Sequence, residues 1–141
     1  MSKILKCETE FTDIDIVRQA LELQGFSPIY QEGYPELLMN GYTESFKANL
    51  GVSRADYQKV TGIHAFGDMG FEQKASGPLG FTFDDLNMNG PQFTKVFDGI
   101  KAAYAEKKYD LDMYQSGYIQ SSRVVNAEGV VELEYARMAS V

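Results

Sequence analysis

GIHAFGDMGFEQKASGPLGFTFDD, running from Gly62 to Asp85, is the stretch that decides the fold. Ile63 and Ala65 alternate with His64 and Phe66, and Met69 and Phe71 alternate with Gly70 and Glu72. A period of two marks a strand with one buried face. Ser76–Gly77–Pro78 then supplies turn chemistry before a second apolar run, Gly80–Phe81–Thr82–Phe83. The simplest reading is two strands joined by a loop near 74–79. They form a central β-hairpin with a strand–helix unit on each side.

Upstream, residues 3–11 alternate with Leu5, Cys7, Thr9 and Phe11 on one face, which predicts a half-buried strand and makes Cys7 a core residue. Thr12 and Asp15 have capping-box spacing, with Asp13 as an alternative cap. Ile14, Val17 and Leu21 then recur at helical intervals up to Gly25 and Pro28. A helix over about 14–24 follows. Strands near 27–32 and 36–43 are broken by Gly33, Pro35 and Gly41, and 44–60 is the least readable segment: Asn49–Leu50–Gly51 looks like loop, and 54–60 admits a short helix or a strand.

Downstream, Pro91 suits the first position of a helix with Asn89 or Gly90 as its cap. Phe93, Val96, Phe97, Ile100 and Tyr104 form one apolar stripe, and helical character continues to Gly117, with a break allowed at Gly99 or Tyr109–Asp110. Tyr118–Val125 and Val130–Met138 make a closing hairpin across Asn126–Gly129. Val131, Leu133 and Tyr135 face the core, and Glu132 and Glu134 face water.

The totals fit one domain: 141 residues, 44% hydrophobic and 23% charged, enough to bury a core without metal or disulfide staples. The fold class expected is α+β, a single domain with an antiparallel sheet and two main helices packed on one face, ferredoxin-like in character. Twenty acidic against thirteen basic residues leave a net charge of −7, with no basic stripe for phosphate neutralisation, so long nucleic acid is not an expected partner. A lone cysteine points to a reducing compartment, and with no long apolar run the expected location is cytoplasmic and off the membrane.

His64, Asp68, Asp84 and Asp85 are the residue types that hold a divalent ion, and a hairpin could gather them at one end. Their spacing is no known ligand signature, and Asp68 before Gly70 and the Asp84–Asp85 pair read more simply as turn and cap residues. One histidine and no GxSxG or phosphate-loop motif leave little for nucleophilic or nucleotide chemistry. Tyr104, Tyr114 and Tyr118, with Arg54, Arg123 and Arg137, are the groups that could stack on and neutralise a small anion or anchor a protein partner, although a single Tyr more often fills a core.

Three stretches together resemble the DUF1257 (Ycf35-like) family of uncharacterised proteins. These are the opening MSKILKCETEFTDIDIVRQALELQGF, the centre Asp68–Met69–Gly70–Phe71 with Gly77 and Phe83–Asp84–Asp85, and the end Tyr104–Ala105, Glu128–Gly129, Val131, Leu133, Tyr135 and Arg137. Members close on Arg-Trp, whereas Met138 follows Arg137 here, the mark of a divergent member. The resemblance implies the fold and brings no activity. The expectation is therefore a non-catalytic binding or regulatory module without a cofactor, engaging a protein partner or a small anionic, nucleotide-like ligand and admitting a homo-oligomer. The alternative is a metal-dependent enzyme using His64 and the central carboxylates.

Overall fold

A computed structural model describes residues 4–84 and 91–139. The order is β1 (Ile4–Glu8), α1 (Ile14–Leu23), β2 (Ile29–Tyr30), β3 (Leu37–Asn40), β4 (Ser45–Ala48), β5 (Leu50–Val52), α2 (Arg54–Thr61), β6 (Met69–Glu72), β7 (Gly80–Asp84), α3 (Pro91–Gln115), β8 (Tyr118–Val125) and β9 (Val131–Arg137). The fold is α+β, and each of its strand pairs among the described residues is antiparallel. Two compact units divide the chain, Met1–Tyr104 and Ala105–Val141.

In the first unit, five strands pair in the order β1-β7-β6-β5-β2, with the β6–β7 hairpin at the centre. Register places Phe71 opposite Phe81 and Leu50, and Met69 opposite Phe83 and Val52, so these six share one face. Ile14, Val17 and Leu21 of α1 and Ile100 of α3 join them in one buried cluster. Burying such side chains is worth about 1.5–3 kcal/mol each, so this face supplies most of the unit's stability. Asp13 caps α1 by accepting the N–H groups of Asp15 and Ile16, which selects the alternative cap over the Thr12 box.

The opposite face carries Gly51 and Gly70 side by side. A β-carbon on Gly51 would stand 2.4 Å from Met39 Cε, and one on Gly70 2.7 Å from Ala48 Cβ. These glycines form the seat of the β3–β4 ribbon, whose Met39, Phe46 and Ala48 are buried as a second small core.

Several expectations need correction. Cys7 is exposed rather than core, because β1 is an edge strand. Asn49–Leu50–Gly51 is not loop. Leu50–Val52 is an inner strand, and Asn49 is a buried hub whose side chain donates to the Gln31 and Gly33 carbonyls and accepts from the Gln73 N–H. Residues 62–68 form no strand: Gln58 takes the Ala65 N–H, and the Asn40 carbonyl takes that of Asp68. Segment 54–60 is the helix of its two options. α3 is unbroken, and the cap expected at Asn89 or Gly90 lies outside the described residues.

The second unit holds the last part of α3 and the β8–β9 hairpin, a two-stranded sheet of its own. The strands β8 and β9 that follow α3 therefore do not join the five-stranded sheet, as a ferredoxin-like order would require. Leu133 and Tyr135 are half-buried as expected, whereas Val131 is exposed.

Candidate functional site

The central carboxylates are held by backbone. Asp68 accepts the Asn40 N–H through Oδ2 at 2.7 Å and the Arg54 N–H through Oδ1 at 2.6 Å, tying β3 to the first turn of α2. Asp84 is fully buried and accepts the Tyr42 N–H at 2.7 Å. Gly41 and Gly67 make this junction close enough to form, since a β-carbon on Gly67 would lie 2.7 Å from Gly41 Cα. A loop amide that loses water on folding must find an acceptor, and a carboxylate is a strong one. His64 is exposed, its ring edge-on to Phe66 at 4.7 Å, and Phe66 is in turn edge-on to Tyr42 at 6.0 Å. Asp85 lies outside the described residues. Among the described residues no three His, Cys, Asp or Glu side chains gather as a metal ion requires.

The six residues expected to bind a ligand are divided between the two units. Arg54 and Tyr104 belong to the first unit, and Tyr114, Tyr118, Arg123 and Arg137 to the second. Arg54 is exposed, and Tyr104 is structural: its ring lies 4.5 Å from that of Phe11, and its hydroxyl accepts the Thr12 and Asp13 N–H groups at the start of α1. Arg123 is already engaged, its Nε donating to both carboxylate oxygens of Glu106 at 3.2 and 2.9 Å, a hydrogen bond that raises the guanidinium above its ordinary value. Tyr118 and Arg137 stand opposite each other in register, and Tyr114 is exposed on the last turn of α3.

The second unit has an inverted pattern. Between helix and hairpin lies a polar network: Asp110 Oδ1 accepts from Gln120 Nε2 at 3.0 Å and from the Tyr135 hydroxyl at 2.5 Å, beside the Glu106–Arg123 pair. Tyr109 meets Tyr135 edge-on at 5.3 Å. Among the described residues, no buried apolar side chain lies beyond Ala103, whereas Tyr118, Ile119, Val124, Val125, Val130 and Val131 are exposed. Register sorts the hairpin into two faces. Gln120, Arg123 and Tyr135 reach the helix, while the rows Ile119–Ala136, Ser122–Glu134 and Val124–Glu132 point away from it.

A separate cleft of about 400 Å³ lies in the first unit, where α1 and α2 end and α3 begins, lined by Gln24, Phe26, Val60, Ile63, Gln92 and Lys95 among others. Gly99 lets the Gln24 amide lie against α3, since a β-carbon there would be 2.8 Å from Gln24 Oε1. Sequence reasoning missed this cleft because its residues come from three helix ends that nothing local connects. Gly99, a helix-interior glycine, was its one visible signal.

Compared with family models, curated proteins and solved structures, the chain finds no match. Among the described residues no helix is long and apolar enough to cross a membrane.

Proposed function

We propose that the protein is a non-catalytic binding module that engages a protein partner through its second unit. The observation that carries this reading is the arrangement of the hairpin's two faces: polar side chains bridge helix and hairpin, while Ile119 and Val124 stand exposed on the face turned away from the helix. A two-stranded hairpin is marginal in water without an apolar face to bury. Outward apolar surface on such a unit is what a partner would cover. A metal-dependent reaction at His64 would have to recruit Asp68 and Asp84, whose oxygens hold the β3–β4 junction. The resemblance to the DUF1257 family and a cytoplasmic setting belong to the same reading, supported by the hairpin glycines and the lone cysteine.

The experiment is affinity capture with wild-type protein and with the double variant Ile119→Ser/Val124→Ser, after checking that both unfold alike in the first unit. A protein held by the wild type and lost by the variant is the expected result. Identical capture profiles would reject the reading.

A second reading, a small anionic ligand in the first unit, draws on the cleft. Lys95 has no carboxylate within ion-pair distance among the described residues and sits beside apolar Phe26, Val60 and Ile63. A thermal-shift screen with small carboxylates and nucleotides, read against Lys95→Met, tests it.

A further inference from the structure

Resting on the docking role of the second unit, we propose the chemistry of what docks: an amphipathic protein segment with an apolar stripe beside a basic one. The outward face of the β8–β9 hairpin is built from the cross-strand rows Ile119–Ala136, Ser122–Glu134 and Val124–Glu132. Its β8 side carries Ile119 and Val124, exposed by 53% and 52%, and its β9 side carries the exposed carboxylates Glu132 and Glu134. Cross-strand neighbours stand roughly 5 Å apart, so an apolar line and an acidic line run in parallel along one ribbon. Among the described residues neither glutamate forms an ion pair. The inner face differs, because the acids it meets on α3, Glu106 and Asp110, are already engaged by Arg123, Gln120 and Tyr135.

A second copy does not suit this face. Two ribbons related face to face by a two-fold axis stack either β9 on β9 or β8 on β9. The first arrangement puts Glu132 and Glu134 against their own copies, and like charges opposed across a sheet are unfavourable. The second lays Ile119 and Val124 on carboxylates that then lose water without a partner. A segment with apolar and Lys or Arg side chains side by side satisfies both lines at once, and the net charge of −7 speeds its encounter.

The test uses the full chain and two synthetic helical peptides of equal length, one patterned with leucine and lysine and one with leucine and glutamate. The leucine–lysine peptide is expected to bind, more weakly as salt is raised, and the leucine–glutamate peptide is not. Glu132→Gln/Glu134→Gln should weaken binding roughly tenfold, the scale of two partly exposed charge pairs, and Ile119→Ser/Val124→Ser should weaken it as well. The control Glu8→Gln/Glu22→Gln makes the same change in net charge on the first unit and should leave binding intact.

Equal weakening by the control pair would reduce the effect to general charge attraction and overturn the proposal. So would equal binding of both peptides. A dimer in sedimentation that Ile119→Ser/Val124→Ser dissolves would show that a second copy occupies the face, which overturns the basic-segment proposal and leaves the docking role standing. Failure of the peptides alongside variant-sensitive capture of another protein does the same. Only the loss of every difference between wild type and the Ile119/Val124 variant removes both.

Discussion

Asp68 and Asn40 are joined twice: the Asp68 N–H donates to the Asn40 carbonyl at 2.8 Å, and the Asn40 N–H donates to Asp68 Oδ2 at 2.7 Å. This reciprocal pair closes the end of the β3–β4 ribbon against the loop that leads into β6 of the central hairpin. Asp84 Oδ2 accepts the Tyr42 N–H two residues further along. The acidic residues that suggested chemistry in the sequence thus hold together a junction whose glycines leave no room for side chains.

Replacing Asp68 with Ala should cost about 2 kcal/mol of stability, the scale of losing hydrogen bonds to a charged acceptor. Asp68→Asn should be nearly as harmful. One of its two terminal atoms becomes an NH₂ group and can no longer accept from an amide. Denaturant unfolding of the two variants measures both effects, and a pair of midpoints at the wild-type value would show the junction to be dispensable.

Gly70→Ala places a methyl 2.7 Å from Ala48 Cβ and 2.9 Å from Phe46 Cε2. The β3–β4 ribbon must lift, at a cost of about 1–3 kcal/mol, typical of overpacking. Gly70→Ala/Ala48→Gly should be less damaging than the sum of the single changes, since the second substitution removes the atom the first one meets. A double-mutant cycle from unfolding curves reads the coupling directly.

Much of the fold was legible because its signals are local. The α1 cap, the β6–β7 hairpin across Gly77, the start of α3 at Pro91 and the closing hairpin across Asn126–Gly129 each rest on a few adjacent residues. The illegible parts depend on tertiary partners. Leu50–Gly51–Val52 is too short for its period to register, and Gly51 reads as a breaker until Met39 is seen lying on it. Ile63–Phe66 alternates like a strand, yet the Gln58 side chain claims an amide that a neighbouring strand would need. Of the candidate site, the residue types are visible in the sequence and their commitments are not: nothing local ties Arg123 to Glu106, or Tyr104 to the two amides it accepts from.

Two tyrosines separate the worth of a hydroxyl. Tyr104→Phe loses the acceptor for the Thr12 and Asp13 amides and should cost about 1 kcal/mol. Tyr57→Phe should cost nothing or stabilise. The Tyr57 hydroxyl is buried without a hydrogen-bond partner among the described residues, and removing it relieves an unmet desolvation cost. Equal losses in the two variants would contradict this contrast.

Cys7 is exposed on an edge strand, so it should be alkylated completely in the folded protein. Partial burial nevertheless raises its thiol above the ordinary value, which leaves less thiolate at neutral pH. The rate at pH 7 should therefore fall below that of a free model thiol and approach it only as the pH is raised. A protected Cys7 that reacts only after unfolding would return it to the core.

The Tyr135 hydroxyl is pushed up to about 12, chiefly by desolvation and next by its hydrogen bond to Asp110, which ionised tyrosine could not donate. In the unfolded chain the same group titrates near 10. Folding therefore favours the protonated phenol. The stability this contributes is fully present below about pH 10, where both states are protonated, and is lost as the pH rises toward about 12. Spectroscopic titration of tyrosinate should show Tyr135 ionising late alongside buried Tyr57, whose hydroxyl is also pushed up by burial, and Tyr135→Phe should remove one late component and leave the other. Asp110→Asn should move the Tyr135 component downward only part of the way, because desolvation, the larger cause, is untouched. A complete return to 10 in Asp110→Asn would make the carboxylate the main cause instead, and an unshifted Tyr135 in wild type would mean that the polar network between α3 and the hairpin does not hold in solution.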